Sequence, residues 1–281
     1  MGEALVVTRL AIILVIAIAL AYLFSLYLRT NGLFFPEKFP KGMWDVDRYS
    51  IAPQDVNFTA SDGVKLHGWL FRSPKAGAPL MLFCHGNAGN ITERAPVAEE
   101  FAKRGVSMLV FDWRGYGKSE GVAKENALYD DALTAYDFAS KINPDIVIYG
   151  ESLGAPYAAW AAKNRRARCA IIDSSFPSLL AVGNAHYFPL GYFAPRAMRT
   201  ADWLNDANIP VLVMHGKRDD VVPFAVGMKL YDSLRARKEL LVSEKAGHSE
   251  IEAFEPQRYY DAVTRFIDSA RSSPTLPPRS R

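Results

Sequence analysis

The chain has only two cysteines in 281 residues, Cys84 and Cys169, far apart and each inside an apolar run. Such cysteines read as buried free thiols rather than as a disulfide or metal pair. Neither C-x-x-C nor H-E-x-x-H occurs and the five histidines are scattered, so no metal and no cofactor are expected. Charge of one sign is also lacking. The net charge of +3, with no cluster of basic residues interleaved with aromatics, argues against nucleic acid as a partner. No internal repeat is present. What remains is an ordinary globular composition, 49% hydrophobic and 22% charged, long enough to bury a sizeable core.

Charge is missing altogether from Leu10 to Leu28, where nearly every residue is Leu, Ile, Val, Ala, Phe or Tyr. As a helix this run spans ~28 Å, close to the hydrocarbon thickness of a bilayer. Arg9 and Arg29 bracket it, and Tyr22 and Tyr27 sit toward its far end as interface anchors. Residues 1–30 therefore read as an uncleaved single-pass anchor, with the lipid bilayer as partner of residues 10–28. The alternative is a cleaved signal peptide ending near Ala19-Leu20-Ala21, but the apolar run continues past those alanines. Arg29, Lys38 and Lys41 outweigh Arg9 and the amino terminus, which leans toward a cytoplasmic domain.

A connector over 31–53 precedes a region, 54–270, in which strands and helices alternate. Val56 to Ala60 and Val64 to Arg72 read as a hairpin turned by Ser61-Asp62-Gly63. Apolar runs at Leu80–Cys84, Val106–Phe111, Ile146–Tyr149, Cys169–Ile172 and Val211–Met214 suit parallel strands buried on both faces. A last strand is expected at Glu239–Ser243. Helices are expected near Thr92–Arg104, Asn126–Ile142, Ala155–Ala162, Phe224–Ala236 and Glu250–Ser269. That order predicts an α/β fold, a mostly parallel sheet with helices on both faces and an antiparallel start. The rhythm breaks at about 174–206, a Pro- and aromatic-rich insertion at the carboxyl end of a strand, where a lid or pocket wall is expected. Its bulky members are Phe176, Tyr187, Phe188, Tyr192, Phe193 and Trp203. The tail, 271–281, reads as disordered.

Gly150-Glu151-Ser152-Leu153-Gly154 follows one of these strands and opens an alanine-rich helix. G-x-S-x-G between strand and helix is the pattern of a nucleophile elbow, in which a strained turn exposes the serine Oγ. A carboxylate and a histidine must complete it. Asp219 and Asp220 follow the strand ending at Met214, and either could orient a histidine. His248, in Ala246-Gly247-His248-Ser249, follows the final strand and can reach over the sheet edge. Two N–H donors are needed for an oxyanion. Leu153, at the helix start, offers one. Asn87, in the glycine-containing loop His85-Gly86-Asn87-Ala88-Gly89-Asn90, is the candidate for the other. His85 reads as an organiser of that loop, since His248 fits the order of the strands.

Together HGNAGN, FDWRGYGKSEG at 111 to 121, GESLG, HGKRDDVVP and AGHSE resemble the α/β-hydrolase superfamily, over about residues 55 to 270. The resemblance is strongest to its membrane-anchored serine-hydrolase branch, related in motif to the prolyl-oligopeptidase-like peptidases. It implies an eight-stranded sheet, Ser152 as nucleophile, Asp219 as acid and His248 as base, with the Asn87 and Leu153 amides as oxyanion hole. The triad acid stands four residues after His215, which selects Asp219 over Asp220. Asp112 and Arg114 are assigned structural roles. The expected activity is hydrolysis of an acyl ester or thioester of a lipid or acylated protein. A peptidase or amidase shares every motif and stays an alternative, as does a non-catalytic membrane scaffold.

Overall fold

The computed structural model describes residues 2–27, 34–187 and 198–271. Helix α1, Gly2–Tyr27, is apolar all round. Its segment Ala4–Phe24 is long and apolar enough to cross a membrane, and none of it is buried inside the protein. The span begins six residues before the expected Leu10 because the helix carries Arg9 within it. A long arginine stem can carry its charge toward an interface from inside such a helix.

The elements that follow alternate as expected. A short strand β1, Phe35–Pro36, comes first, then the hairpin of β2, Gln54–Thr59, and β3, Lys65–Phe71. Strand β4, Leu80–Cys84, leads into a loop holding the two-residue β5, Ala88–Gly89, and then helix α2, Ala95–Lys103. Next are β6, Ser107–Phe111; α3, Glu125–Ile142; β7, Ile146–Glu151; and α4, Gly154–Asn164. Strand β8, Cys169–Asp173, is followed by α5, Leu179–Tyr187, and α6, Thr200–Ala207. The chain then forms β9, Val211–Gly216; α7, Phe224–Ser233; β10, Lys238–Ser243; α8, Ile251–Phe254; and α9, Pro256–Arg271.

Eight strands form one sheet in the order β10-β9-β8-β7-β4-β6-β3-β2. Only β2–β3 and β3–β6 pair antiparallel. Alternation within the continuous apolar strands sorts side chains to two cores. Leu80, Leu82, Ile146 and Ile148 join α3 and α4 on one face, whereas Met81, Phe83, Val147 and Tyr149 join α2 and α9 on the other. The same sorting puts the free thiols Cys84 and Cys169 in opposite cores, both fully buried. Burial raises both thiols, Cys169 to about 12, and keeps them protonated.

Three features depart from the expectations. The helix expected over Glu250–Ser269 is two helices, because Pro256 starts α9 and drives Glu255 out of helical geometry (φ −139°, ψ 55°). Part of the expected lid is core: Ala201, Trp203 and Leu204 of α6 pack with Ala155 and Ala159 of α4. The connector is no free linker either. Strand β1 pairs in parallel with β5, Phe35 opposite Ala88 and Pro36 opposite Gly89, and Phe34 and Tyr49 are buried in the cores. Phenylalanines beside a proline in a charged stretch were the available signal for that docking.

Candidate active site

The carboxyl ends of β4, β7, β8, β9 and β10 lie along one edge of the sheet, the usual place for a site in an α/β fold. At the end of β7, Ser152 adopts a left-handed backbone (φ +48°), a strained conformation for a residue with a Cβ. Two glycines make that turn sterically feasible. A Cβ on Gly154 would stand 2.1 Å from the Cys84 carbonyl oxygen, and one on Gly150 would stand 2.5 Å from Ala155 Cα. The elbow is thus pressed against both β4 and α4. It is also tied to β8, since Ser152 N–H donates to Asp173 O (2.8 Å) and Ser175 Oγ donates to Ser152 O (2.9 Å).

Ser152 Oγ lies 2.8 Å from His248 Nε2, and His248 Nδ1 lies 2.8 Å from Asp219 Oδ2. With Nδ1–H donating to the carboxylate, Nε2 is left as acceptor for the serine hydroxyl. The loop after β9 holds Asp219 in place: Val221 and Val222 N–H groups donate to Oδ1 at 3.0 and 2.7 Å. His215 Nε2, 3.2 Å from Oδ2, sits beside it and also faces the Val222 carbonyl at 2.8 Å. Asp220 is exposed and takes no part. Burial by itself raises the Asp219 carboxyl, but the hydrogen bonds from His215 and His248 outweigh it and hold the group at about 2. Burial by itself lowers the His248 imidazole; the hydrogen bond and charge of Asp219 outweigh it and leave it above its ordinary value.

The loop after β4 faces this trio. His85 is fully buried, with Nδ1 2.8 Å from the Gly86 carbonyl, and burial first, then the Arg94 charge, lower it to about 3. It is a neutral organiser of the loop. Tyr116 O–H donates to the Asn87 carbonyl (2.7 Å), and Phe35 N–H donates to Asn87 Oδ1 (3.2 Å). Neither Asn87 N–H nor Leu153 N–H donates to a turn, loop or cap acceptor among the described residues. A closed cleft too tight to hold a water molecule lies beside Asn87 and Leu153, walled by Phe34, Trp113, Tyr116 and Tyr157. Asp112 and Arg114 brace the surrounding turns: Asp112 accepts Ile91 N–H (3.0 Å), and Arg114 pairs with Asp131 (2.6 Å) and Asp62 (2.5 Å).

Of the aromatics in the insertion, Phe176 is buried in the core that also holds Leu153 and Val222. Phe188, Tyr192 and Phe193, and the side chain of Tyr187, lie outside the described residues. The sequence reading missed the pair Arg94–Glu151 and the role of Ser174. Arg94 Nη2 meets Glu151 Oε1 at 2.7 Å, and Ser174 Oγ accepts Ser249 N–H (2.9 Å), steadying the turn that carries His248. Glu151 stands within the G-x-S-x-G pentapeptide, which was the signal for the first. Nothing local marks Ser174, because its partner is 75 positions away. No cluster of three or more His, Cys, Asp or Glu side chains is placed to hold a metal among the described residues.

A parallel sheet with a serine at a glycine-flanked strand-to-helix turn, met there by histidine and aspartate from later strand ends, defines an α/β hydrolase. Comparison with known proteins agrees. The chain belongs to the α/β-hydrolase superfamily. A family model described as serine aminopeptidase, S33, matches residues 76–179. The YfhR protein of Salmonella typhimurium is 31% identical over 267 residues, covering 86% of this chain and 89% of that one. The lysophosphatidylserine lipase ABHD12 of Danio rerio is 30% identical over 199 residues, covering 61% of this chain and 51% of the lipase. Among solved structures, an esterase of Pyrococcus furiosus superposes with a TM-score of 0.70 at 24% identity, covering 84% of this chain and 98% of the esterase.

Proposed function

We propose that the protein is a membrane-anchored serine hydrolase that cleaves acyl esters or thioesters of lipids or acylated proteins. The observation that carries this reading is the pair of 2.8 Å contacts joining Ser152 to His248 and His248 to Asp219. In the proposed reaction His248 Nε2 accepts the Ser152 proton as Oγ attacks the acyl carbonyl. The Asn87 and Leu153 N–H groups hold the oxyanion, aided at Leu153 by the start of α4. Asp219 stays ionised and stabilises the imidazolium. His248 then protonates the leaving alcohol or thiol, and a water deprotonated by the same nitrogen releases the acyl group.

The aromatic and apolar side chains beside Asn87 and Leu153, among them Phe34, Trp113 and Tyr157, favour an acyl group over a peptide. Helix α1 is read as a single-pass anchor that keeps the hydrolase at a bilayer. The lipase relative is named for a lysophospholipid, which is consistent with a lipid ester here. The serine aminopeptidase model favours a second reading, amide hydrolysis by the same residues.

Labelling with a fluorophosphonate probe tests the assignment. The full-length protein is expected to label, and Ser152→Ala is expected to abolish labelling and lower kcat about 10⁶-fold. A matched panel of esters, thioesters and amides of graded acyl length then separates the readings. Good turnover of amides or short soluble esters, with long-chain esters and acyl-cysteine inert, would overturn the lipid assignment.

A further inference from the structure

We propose that the outward face of residues 34–44, continued by Lys118, is a bilayer-contact surface that seats the Asn87 loop on the lipid headgroups. The proposal rests on the reading of α1 as an anchor and adds a second, independent contact with the membrane.

The inward side of this strap is fixed to the site. Phe34 is buried and walls the closed cleft beside Asn87. Phe35 N–H donates to Asn87 Oδ1, Glu37 N–H to Gly89 O (3.3 Å) and Phe39 N–H to Gly117 O (2.9 Å). Asn90 Nδ2 returns two bonds, to the carbonyls of Glu37 (3.3 Å) and Lys41 (2.9 Å). The strap therefore cannot change its distance from the membrane without taking the Asn87 loop with it.

The outward side has the wrong chemistry for water alone. Phe35, Phe39 and Met43 are 64%, 55% and 58% exposed. They are three of the seven large apolar side chains exposed outside α1 among the described residues, and they fall within nine consecutive positions, so their clustering is not the ordinary scatter of surface apolar groups. Lys38, Lys41 and Lys118 are exposed among them, against one acid in the strap, Glu37. Lys118 Nζ lies 5.7 Å from the Phe39 ring centre and 4.8 Å from that of Trp44, while Phe39 and Trp44 pack edge to face at 5.8 Å. Aromatic rings carrying lysines are the composition of an interfacial surface, with apolar groups entering the acyl boundary and ammonium groups meeting anionic headgroups.

Chain length selects the bilayer as occupant over a soluble protein partner. Only six residues separate Tyr27, the end of α1, from Phe34. Seven Cα steps reach at most about 25 Å even when fully extended. An anchored α1 thus holds the strap within that distance of the interface from which the helix emerges. An apolar, basic face so tethered meets lipid before any other surface.

Environment-sensitive fluorophores test this in the full-length chain reconstituted into vesicles of phosphatidylcholine and phosphatidylglycerol. They are attached through Phe39→Cys, Met43→Cys, Ile16→Cys or Lys141→Cys, since the two native thiols are buried. Ile16 reports on the anchor. Lys141, at the end of α3 and so at the opposite edge of the sheet, reports on the far surface. Fluorophosphonate labelling of each variant confirms an intact fold. The expected result is a blue-shifted emission at positions 39 and 43, quenched by doxyl-labelled lipid and protected from iodide, with the reverse at 141. Changing Lys38, Lys41 and Lys118 to Gln is expected to reduce the lipid quenching at 39.

Iodide quenching at 39 and 43 with lipid quenching at 16 would overturn the proposal and leave the anchor standing. Protection from iodide without lipid quenching would overturn it in favour of a protein contact. Iodide quenching at 16 as well would remove the anchor reading and this proposal together.

Discussion

Arg94 grips both carboxylate oxygens of Glu151, with Nη2 2.7 Å from Oε1 and Nε 3.3 Å from Oε2. The pair joins the residue directly before Ser152 to the segment directly after the Asn87 loop. Both side chains are largely buried, with 11% and 14% of their surface exposed. Burial by itself raises the Glu151 carboxyl, yet the Arg94 charge and hydrogen bonds bring it below the ordinary value, so the pair is ionised. Two separate strand ends, one bearing the proposed nucleophile Ser152 and one the proposed oxyanion donor Asn87, are thereby held in fixed relation.

Removing the cation alone is therefore expected to cost more than removing both charges. Arg94→Met leaves an uncompensated carboxylate in a dry site, which costs about 3 kcal/mol of folding stability. It also frees the elbow to shift against the Asn87 loop, and a displacement of about 1 Å is worth roughly 100-fold in rate. The double variant Arg94→Met/Glu151→Leu is expected to recover most of the stability but not the rate. Urea unfolding and kcat/KM on one soluble ester check both halves. Equal stability of the single and double variants would show that the pair acts only by packing.

The pH profile follows from His248. To act as a base it must be neutral, so activity is lost as pH falls through its pKa. Because Asp219 holds that pKa above the ordinary ~6.5, the acid limb of kcat/KM should have its midpoint above that value. Asp219→Asn removes the charge that raises it. The limb is then expected to move to lower pH while kcat falls about 10⁴-fold, because the wrong tautomer faces Ser152. Ionisation of Asp219 itself, near 2, should leave no second step in the working range. An acid limb unmoved by Asp219→Asn would assign it to another group.

Most of this site was legible in the sequence because its parts are local. Gly150 to Gly154 carries its own steric requirement, Asp219 follows an apolar run suited to a buried strand, and His248 follows the last strand, at the sheet edge. The helix after His248 is broken at Pro256, whose effect on Glu255 the apolar periodicity of the stretch does not show. Connections between distant segments had no such local mark. The strap around Phe34 and Phe35 looked like a linker, since pairing with Ala88 and Gly89 leaves no periodicity in two residues. Ser174 supports the His248 turn through one hydroxyl, and a lone serine after a strand has many other uses. Trp203 was placed in a lid by its position between strands, whereas its ring packs at 5.2 Å on Trp160 and 5.4 Å on Tyr129.

Phe34 gives the sharpest test of the idea that the strap belongs to the site. Phe34 is 8% exposed and forms one wall of the closed cleft beside Asn87 and Leu153. Shortening that wall should open room there for a longer stretch of acyl chain. Each added methylene that becomes buried is worth about 0.8 kcal/mol, roughly fourfold in kcat/KM. Phe34→Ala is expected to cost ~3 kcal/mol of stability as well, so Phe34→Leu serves as the milder probe. For both variants the chain length giving the highest kcat/KM across a series of esters should increase, more in Phe34→Ala. Variants that stay folded and keep the wild-type chain-length profile would place the acyl group elsewhere on the sheet edge.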